Sequence, residues 1–164
     1  MVSSKDKKMY VTLLAMTAIF LQVSAISTNH WQTGKLLGDI PYNSGLWKKC
    51  SKKECDEHLP PDNKEKGYPK NSLEATRAFA ILGPVLIVLG LSLMYLQNTN
   101  KKLQTVLLVC GALASLISII IYSAELLKIK LGNTEIHGSP GYSYYLNMAG
   151  GVMGLVTVFA FIEM

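Results

Sequence analysis

Cys50 and Cys55 stand in a short lysine-rich stretch, SGLWKKCSKKEC. Two thiols this close close a disulfide if their loop faces an oxidising compartment, and can ligate a metal where thiols stay reduced. With His58 the pair offers potential zinc ligands, but a structural zinc site takes four and no fourth candidate is well placed. The disulfide is the better reading: SKKE turns between two strands, and so short a ring stabilises by roughly 2 kcal/mol. No metal is expected. Cys110 lies inside an apolar run and reads as a small buried residue. His30, His58 and His137 are scattered on loops, none at a spacing that pairs it with a nucleophile and an acid. Neither a glycine-rich phosphate loop nor the intramembrane carboxylates of a pump are present. The expectation is a protein that is not an enzyme, takes no cofactor or small-molecule substrate, and works by binding.

The elements that must position the cysteines are apolar. The chain has 164 residues, 49% hydrophobic and 16% charged, and the apolar residues are clumped. Runs over 9–26, 75–96, 103–124 and 144–162 each approach the roughly 20 residues that a helix needs to cross the hydrocarbon core. They lack the polar stripe that a soluble helix carries. The fold expected is an all-α membrane protein with a small β element: one domain over 1–164, four transmembrane helices, and loops at 27–74 and 125–143. The first run has a rival reading as a signal peptide, since Lys5, Lys7 and Lys8 precede it and VSA at Val23–Ala25 resembles a cleavage site. Its length favours retention.

With both termini cytosolic, the two loops lie outside. A raw count of lysines opposes this orientation, because the first loop is lysine-rich. Density supports it: Lys5, Lys7, Lys8, Lys101 and Lys102 flank membrane crossings directly, whereas most outer lysines are interleaved with Glu54, Asp56, Glu57, Asp62 and Glu65. That interleaving also argues against a nucleic-acid surface. The segment EHLPPDNKEKGYPK reads as exposed and irregular. Trp31, directly after the first helix, reads as an interfacial anchor. Trp47 is farther from any helix and needs a body to pack against, which a small outer sheet would supply. Gly45 would let the chain turn before the strand.

Trp31, then Gly45, Leu46 and Trp47, then Cys50 and Cys55, is similar to the signature of the claudin superfamily of tetraspan membrane proteins, which includes the peripheral myelin protein, the epithelial membrane proteins, the lens fibre intrinsic membrane protein and calcium-channel gamma subunits. Two further stretches resemble it: LEATRAFAIL, with Arg77 at the arginine position that leads into helix two, and the aromatic GYSYYLNMAG before helix four. The resemblance implies a left-handed four-helix bundle capped by an antiparallel extracellular sheet whose disulfide joins neighbouring strands.

Arg77 is expected in the first turn of helix two, either as an interfacial anchor or in a specific contact with the sheet. Glu125 and Glu163 read as boundary markers. Gly150, Gly151 and Gly154 on helix four, and Gly111, Ala114, Ser115 and Ser118 on helix three, are small residues at spacings that let helices approach within the bundle. Asn147 is placed to bond a neighbouring helix, and Pro84 to bend helix two slightly.

Two functions are expected. In the first, a plasma-membrane tetraspan mediates cell–cell contact or membrane organisation through its outer sheet, meeting itself or another membrane protein in cis or in trans, with cell junctions as one site of action. In the second, an auxiliary gamma-like subunit modulates a channel or receptor. Met164 directly follows helix four, so no cytosolic tail is expected for a scaffold to read, which counts against a paracellular barrier. If the sheet did line such a path, Lys48, Lys49, Lys52 and Lys53 would disfavour cations. No N-x-[ST] acceptor is present.

Overall fold

The computed structural model describes residues 4–36, 40–51, 54–57, 70–96, 100–131 and 134–163. Its four helices, α1 (Ser4–Ser27), α2 (Lys70–Tyr95), α3 (Lys101–Ile121) and α4 (Tyr142–Ile162), are each long and apolar enough to cross a membrane. They run antiparallel in chain order, so both loops emerge at one end. At the other end, Lys7 Nζ reaches the Glu163 carbonyl at 3.5 Å.

Helix ends follow local chemistry. Asn100 opens α3: its side-chain oxygen accepts from the Lys102 amide at 2.9 Å, satisfying a donor that the first turn leaves orphaned. At its far end α3 widens into a π-helical turn, Tyr122–Leu126. Helix α2 starts at Lys70, earlier than its apolar run. Arg77 therefore lies two turns in, about 10 Å from the helix start at 1.5 Å per residue, and not in the first turn.

Small residues set the packing. A methyl on Gly154 would stand 3.1 Å from Ala112 Cβ, one on Gly151 2.9 Å from Leu116, and one on Gly150 3.1 Å from the Ala18 carbonyl. The glycines of α4 thus serve contacts with α3 and α1 inside the bundle, as their spacing predicts. Helix α1 packs extensively on α4, and α2 on α3, whereas α1 and α2 meet along a much thinner seam. One apolar cluster (Val11, Ala15, Ile87, Leu91, Met94, Leu108, Val158, Phe161) fills the half near the termini, and a second gathers under the sheet around Trp31, Leu46, Tyr122 and Leu126. Polar Gln22, Ser115, Ser118 and Asn147 are also buried in the bundle. Asn147 Nδ2 donates to Ser118 Oγ at 2.8 Å, the interhelical bond expected of it. Cys110 is exposed on the helix surface, not buried: at this position α3 turns toward lipid.

The sheet has five antiparallel strands in the order β4-β3-β2-β1-β7, from β1 (Gln32–Leu36), β2 (Ile40–Ser44), β3 (Lys48–Ser51), β4 (Glu54–Glu57) and β7 (Ser139–Pro140). A separate hairpin pairs β5 (Lys128–Leu131) with β6 (Thr134–His137). Strand β7 comes from the second loop and pairs Gln32 with Pro140 and Thr33 with Ser139, so the two loops form one cap.

Candidate functional site

Strand pleating sorts the sheet into two faces, because alternate residues point to opposite sides. Register aligns Gln32 with Ser44 and Ser44 with Lys49, and Gly34 with Tyr42. Gln32, Tyr42 and Ser44 are buried, so this face lies on the bundle. The other face carries Thr33, Lys35, Pro41, Asn43, Lys48, Cys50 and Cys55, of which Lys35, Pro41, Lys48 and Cys55 are exposed. This outward face is the candidate site.

The cysteines stand directly opposite each other on β3 and β4, and their disulfide staples the strand pair at the sheet edge with a Cα–Cα distance of 4.0 Å. Their sulfurs are committed to each other, which removes the zinc alternative. His58 lies outside the described residues, as do Lys52, Lys53 and the proline-rich segment 58–69. Among the described residues, no group of three His, Cys, Asp or Glu is arranged to hold a metal.

The motif residues fasten this face to the helices. Trp31 is fully buried, and its Nε1 donates to the Ala25 carbonyl at 2.8 Å. Its ring meets Tyr122 of the π-turn at a centroid distance of 5.1 Å. Trp47 Nε1 donates to the next carbonyl, Ile26, at 2.9 Å, yet Trp47 is 39% exposed. The last turn of α1 thus gives two carbonyls to two indole N–H groups, the Ala25 carbonyl also accepting from Thr28 Oγ1 at 3.2 Å. Trp31, expected as an interfacial anchor, is instead the packed core of the cap, whereas Trp47 does find a body to pack against but keeps part of its ring exposed at the cap's edge. The reason is Tyr122. The π-turn supplies an aromatic platform over Trp31, and no residue spacing in the first loop announces it.

Arg77 makes the specific contact. Its Nε donates to the Leu46 carbonyl at 2.7 Å, and its guanidinium carbon lies 5.0 Å from the centre of the Trp47 ring. Leu46 is fully buried below. Gly45 allows this descent: a methyl there would stand 2.6 Å from Asn29 Cα and 2.9 Å from the Thr28 carbonyl. Close approach, as well as turning, requires the glycine. The turn itself is closed by the Gly45 amide donating to the Lys48 carbonyl at 2.8 Å.

A second clasp centres on His30, whose spacing in the sequence pairs it with no partner. His30 stacks on Tyr142 at 4.7 Å, its Nδ1 lies 3.1 Å from the Tyr142 hydroxyl, and its Nε2 lies 3.1 Å from Asn43 Nδ2. Its backbone amide donates to Ser143 Oγ at 3.2 Å and its carbonyl accepts from the Ser143 amide at 3.1 Å. Sheet, α1 and the first turn of α4 are joined there. The signal in the sequence was the aromatic lead-in to helix four, read only as part of a resemblance.

Lys48 stands opposite Glu57, and Lys49 opposite Asp56, across the β3–β4 ladder. Lys49 Nζ also lies 6.0 Å from the centre of the Tyr42 ring.

No curated protein matches the chain significantly. The family model described as PMP-22/EMP/MP20/Claudin family matches residues 8–159, which take in the sheet, α2 and α3 and most of α1 and α4. The chain is a multi-pass membrane protein that belongs to the PMP-22/EMP/MP20/Claudin family.

Proposed function

We propose that the whole chain, 1–164, acts as one non-enzymatic unit at the plasma membrane, mediating cell–cell contact or membrane organisation through the outward face of its sheet. The observation that carries this reading is the way the cap is held. Two indole N–H bonds, the Arg77–Leu46 bond and the pairing of β7 with β1 bind both loops into one body over the bundle. A binding face presented on so constrained a support loses little freedom when a partner docks. The disulfide supports an extracellular position for the cap, with both termini cytosolic.

The partner is a membrane protein in the same or an apposed membrane. The test mixes two cell populations that express the full chain with different fluorophores and scores its enrichment where the populations touch. Enrichment at mixed contacts, lost in Cys50→Ser/Cys55→Ser, is expected. Absence of enrichment, with a channel or receptor recovered on capture in mild detergent, would replace contact with the auxiliary-subunit reading.

Were the sheet to line a path between apposed membranes, Lys48 on the outward face, together with Lys52 and Lys53, would disfavour cations, while Lys49 shares the bundle-side face with Ser44 and Tyr42. Unchanged charge selectivity on expression in an epithelial layer would remove this role.

A further inference from the structure

The thin seam between α1 and α2 opens into a groove of about 380 Å³ lined by Ile19, Val23, Ile26 and Ser27 on α1 and by Ile81, Pro84, Val85, Val88 and Leu89 on α2. Its walls are almost wholly apolar, and Val23, Ile81, Val85, Val88 and Leu89 are exposed. On each helix the lining covers nine residues, from Ile19 to Ser27 and from Ile81 to Leu89. At 1.5 Å per residue it runs about 12 Å along the bundle, close to the ~15 Å hydrocarbon depth of one leaflet.

The groove is headed by a charge. Arg77, Ile81, Pro84 and Val88 recur at spacings of three and four, so Arg77 stands on the same stripe of α2, one turn toward the sheet. Trp47 marks that end from the α1 side, because its indole is bonded to the carbonyl of groove-lining Ile26 and its ring lies against the guanidinium. Arg77 is half-buried, and among the described residues its only hydrogen bond is made by Nε. Both Nη groups therefore remain as donors in a fixed plane, the fork geometry that suits phosphate oxygens.

We propose that this groove is a phospholipid site: a lipid of the leaflet on the sheet side places one acyl chain between α1 and α2 and its phosphate on the Arg77 Nη groups. Apolar surface and cation are arranged in the order in which such a lipid presents its tail and its headgroup. The site is independent of the partner that the sheet meets. It makes Arg77 a joint between two functions, with Nε holding the cap and Nη holding a lipid, so that the cap rests in part on the membrane itself.

The test reconstitutes the full chain in phosphatidylcholine vesicles carrying a trace of phosphatidylcholine with a diazirine in one acyl chain, and maps the labelled peptides after illumination. Labelling is expected to concentrate on Ile19–Ser27 and Ile81–Leu89. Arg77→Gln should lower it about tenfold, the discrimination of roughly one charge-assisted hydrogen bond. Two further arms do not depend on how that variant folds. Val85→Phe narrows the groove and leaves Arg77 in place, and should lower labelling comparably. A diazirine diacylglycerol, which lacks phosphate, should label the wild-type groove weakly. Even labelling around all four helices, or equal labelling by the phosphate-free probe, overturns the proposal.

Discussion

Arg77 Nε donates to the Leu46 carbonyl at 2.7 Å, joining a transmembrane helix to the turn between two strands of the cap. The donor is charged and the acceptor sits on a fully buried residue, so the bond is directional and poorly replaced by water. Bonds of this kind contribute about 1.5–3 kcal/mol, and the guanidinium–indole contact adds about 0.5–1 kcal/mol. An interfacial anchor would need only a positive charge at this depth; the observed contact needs a planar group with a donor at Nε.

Arg77→Lys separates these roles. The ammonium keeps the charge but loses the Nε donor and the flat face on Trp47. It should lower stability by about 2 kcal/mol, nearly as much as Arg77→Met, in thermal unfolding of the full chain in detergent. An Arg77→Lys variant as stable as wild type would reduce Arg77 to an anchor.

The two tryptophans should respond unequally to the same change. Trp31→Phe leaves the fully buried Ala25 carbonyl with only the longer bond from Thr28 Oγ1 at 3.2 Å, whereas Trp47→Phe frees the Ile26 carbonyl beneath a ring that is 39% exposed. Losing the shorter of two bonds at a buried carbonyl costs about 1 kcal/mol, and a carbonyl that water or a lipid headgroup can reach loses less. Trp31→Phe should therefore be the more destabilising variant when both are compared in one denaturant titration. The reverse order would mean that the Trp31 ring, and not its N–H, holds the cap.

Much of this protein was legible because lipid simplifies the rules. Backbone groups in hydrocarbon must bond internally, so four apolar runs can only be helices. The hairpin around Cys50 and Cys55 was legible because so short a ring leaves few geometries. The helix start at Lys70 was not, since α2 extends into a polar region where no hydropathy change marks its beginning. Strand β7 was hidden for a different reason. A two-residue strand, Ser139–Pro140, carries no period of its own and exists only because β1 offers it an edge. The burial of Trp31 was likewise a tertiary fact, dependent on Tyr122 arriving from the far end of α3.

Gly45→Ala should be disproportionately harmful for so small a change. The added methyl meets backbone at Asn29 and Thr28, not a side chain able to swing away. Overpacking of this kind costs about 1–3 kcal/mol. Gly90→Ala makes a useful comparison, because the nearest atoms there belong to the Leu108 side chain, at 2.9 Å, and not to backbone. Equal stability loss in the two variants, read by thermal unfolding, would show that the junction under Leu46 yields more readily than its geometry implies.

Gln22 and Asn147 are both fully buried in the bundle, and removing their amides should have opposite effects. Asn147 uses one end of its amide: Nδ2 donates to Ser118 Oγ at 2.8 Å, while Oδ1 has no hydrogen-bond partner among the described residues, and such bonds between membrane helices average about 0.6 kcal/mol. Among the described residues, neither polar atom of Gln22 has a hydrogen-bond partner. A methyl on Gly83 would stand 3.2 Å from Gln22 Oε1 and would collide with Ser115 Oγ, so Gln22 lies close to the serine that Asn147 also approaches. The separated helices leave a glutamine free to find partners, and assembly removes that freedom without a bond in return. Gln22→Leu, nearly matched in volume, should therefore stabilise the bundle by about 1 kcal/mol, while Asn147→Leu weakens it. Unfolding of both variants in mixed micelles decides the matter. If Gln22→Leu also destabilised the fold, and the double variant lost less than the sum of the two, the amides would be coupled through the Ser115 region and Gln22 would be a working member of a polar layer.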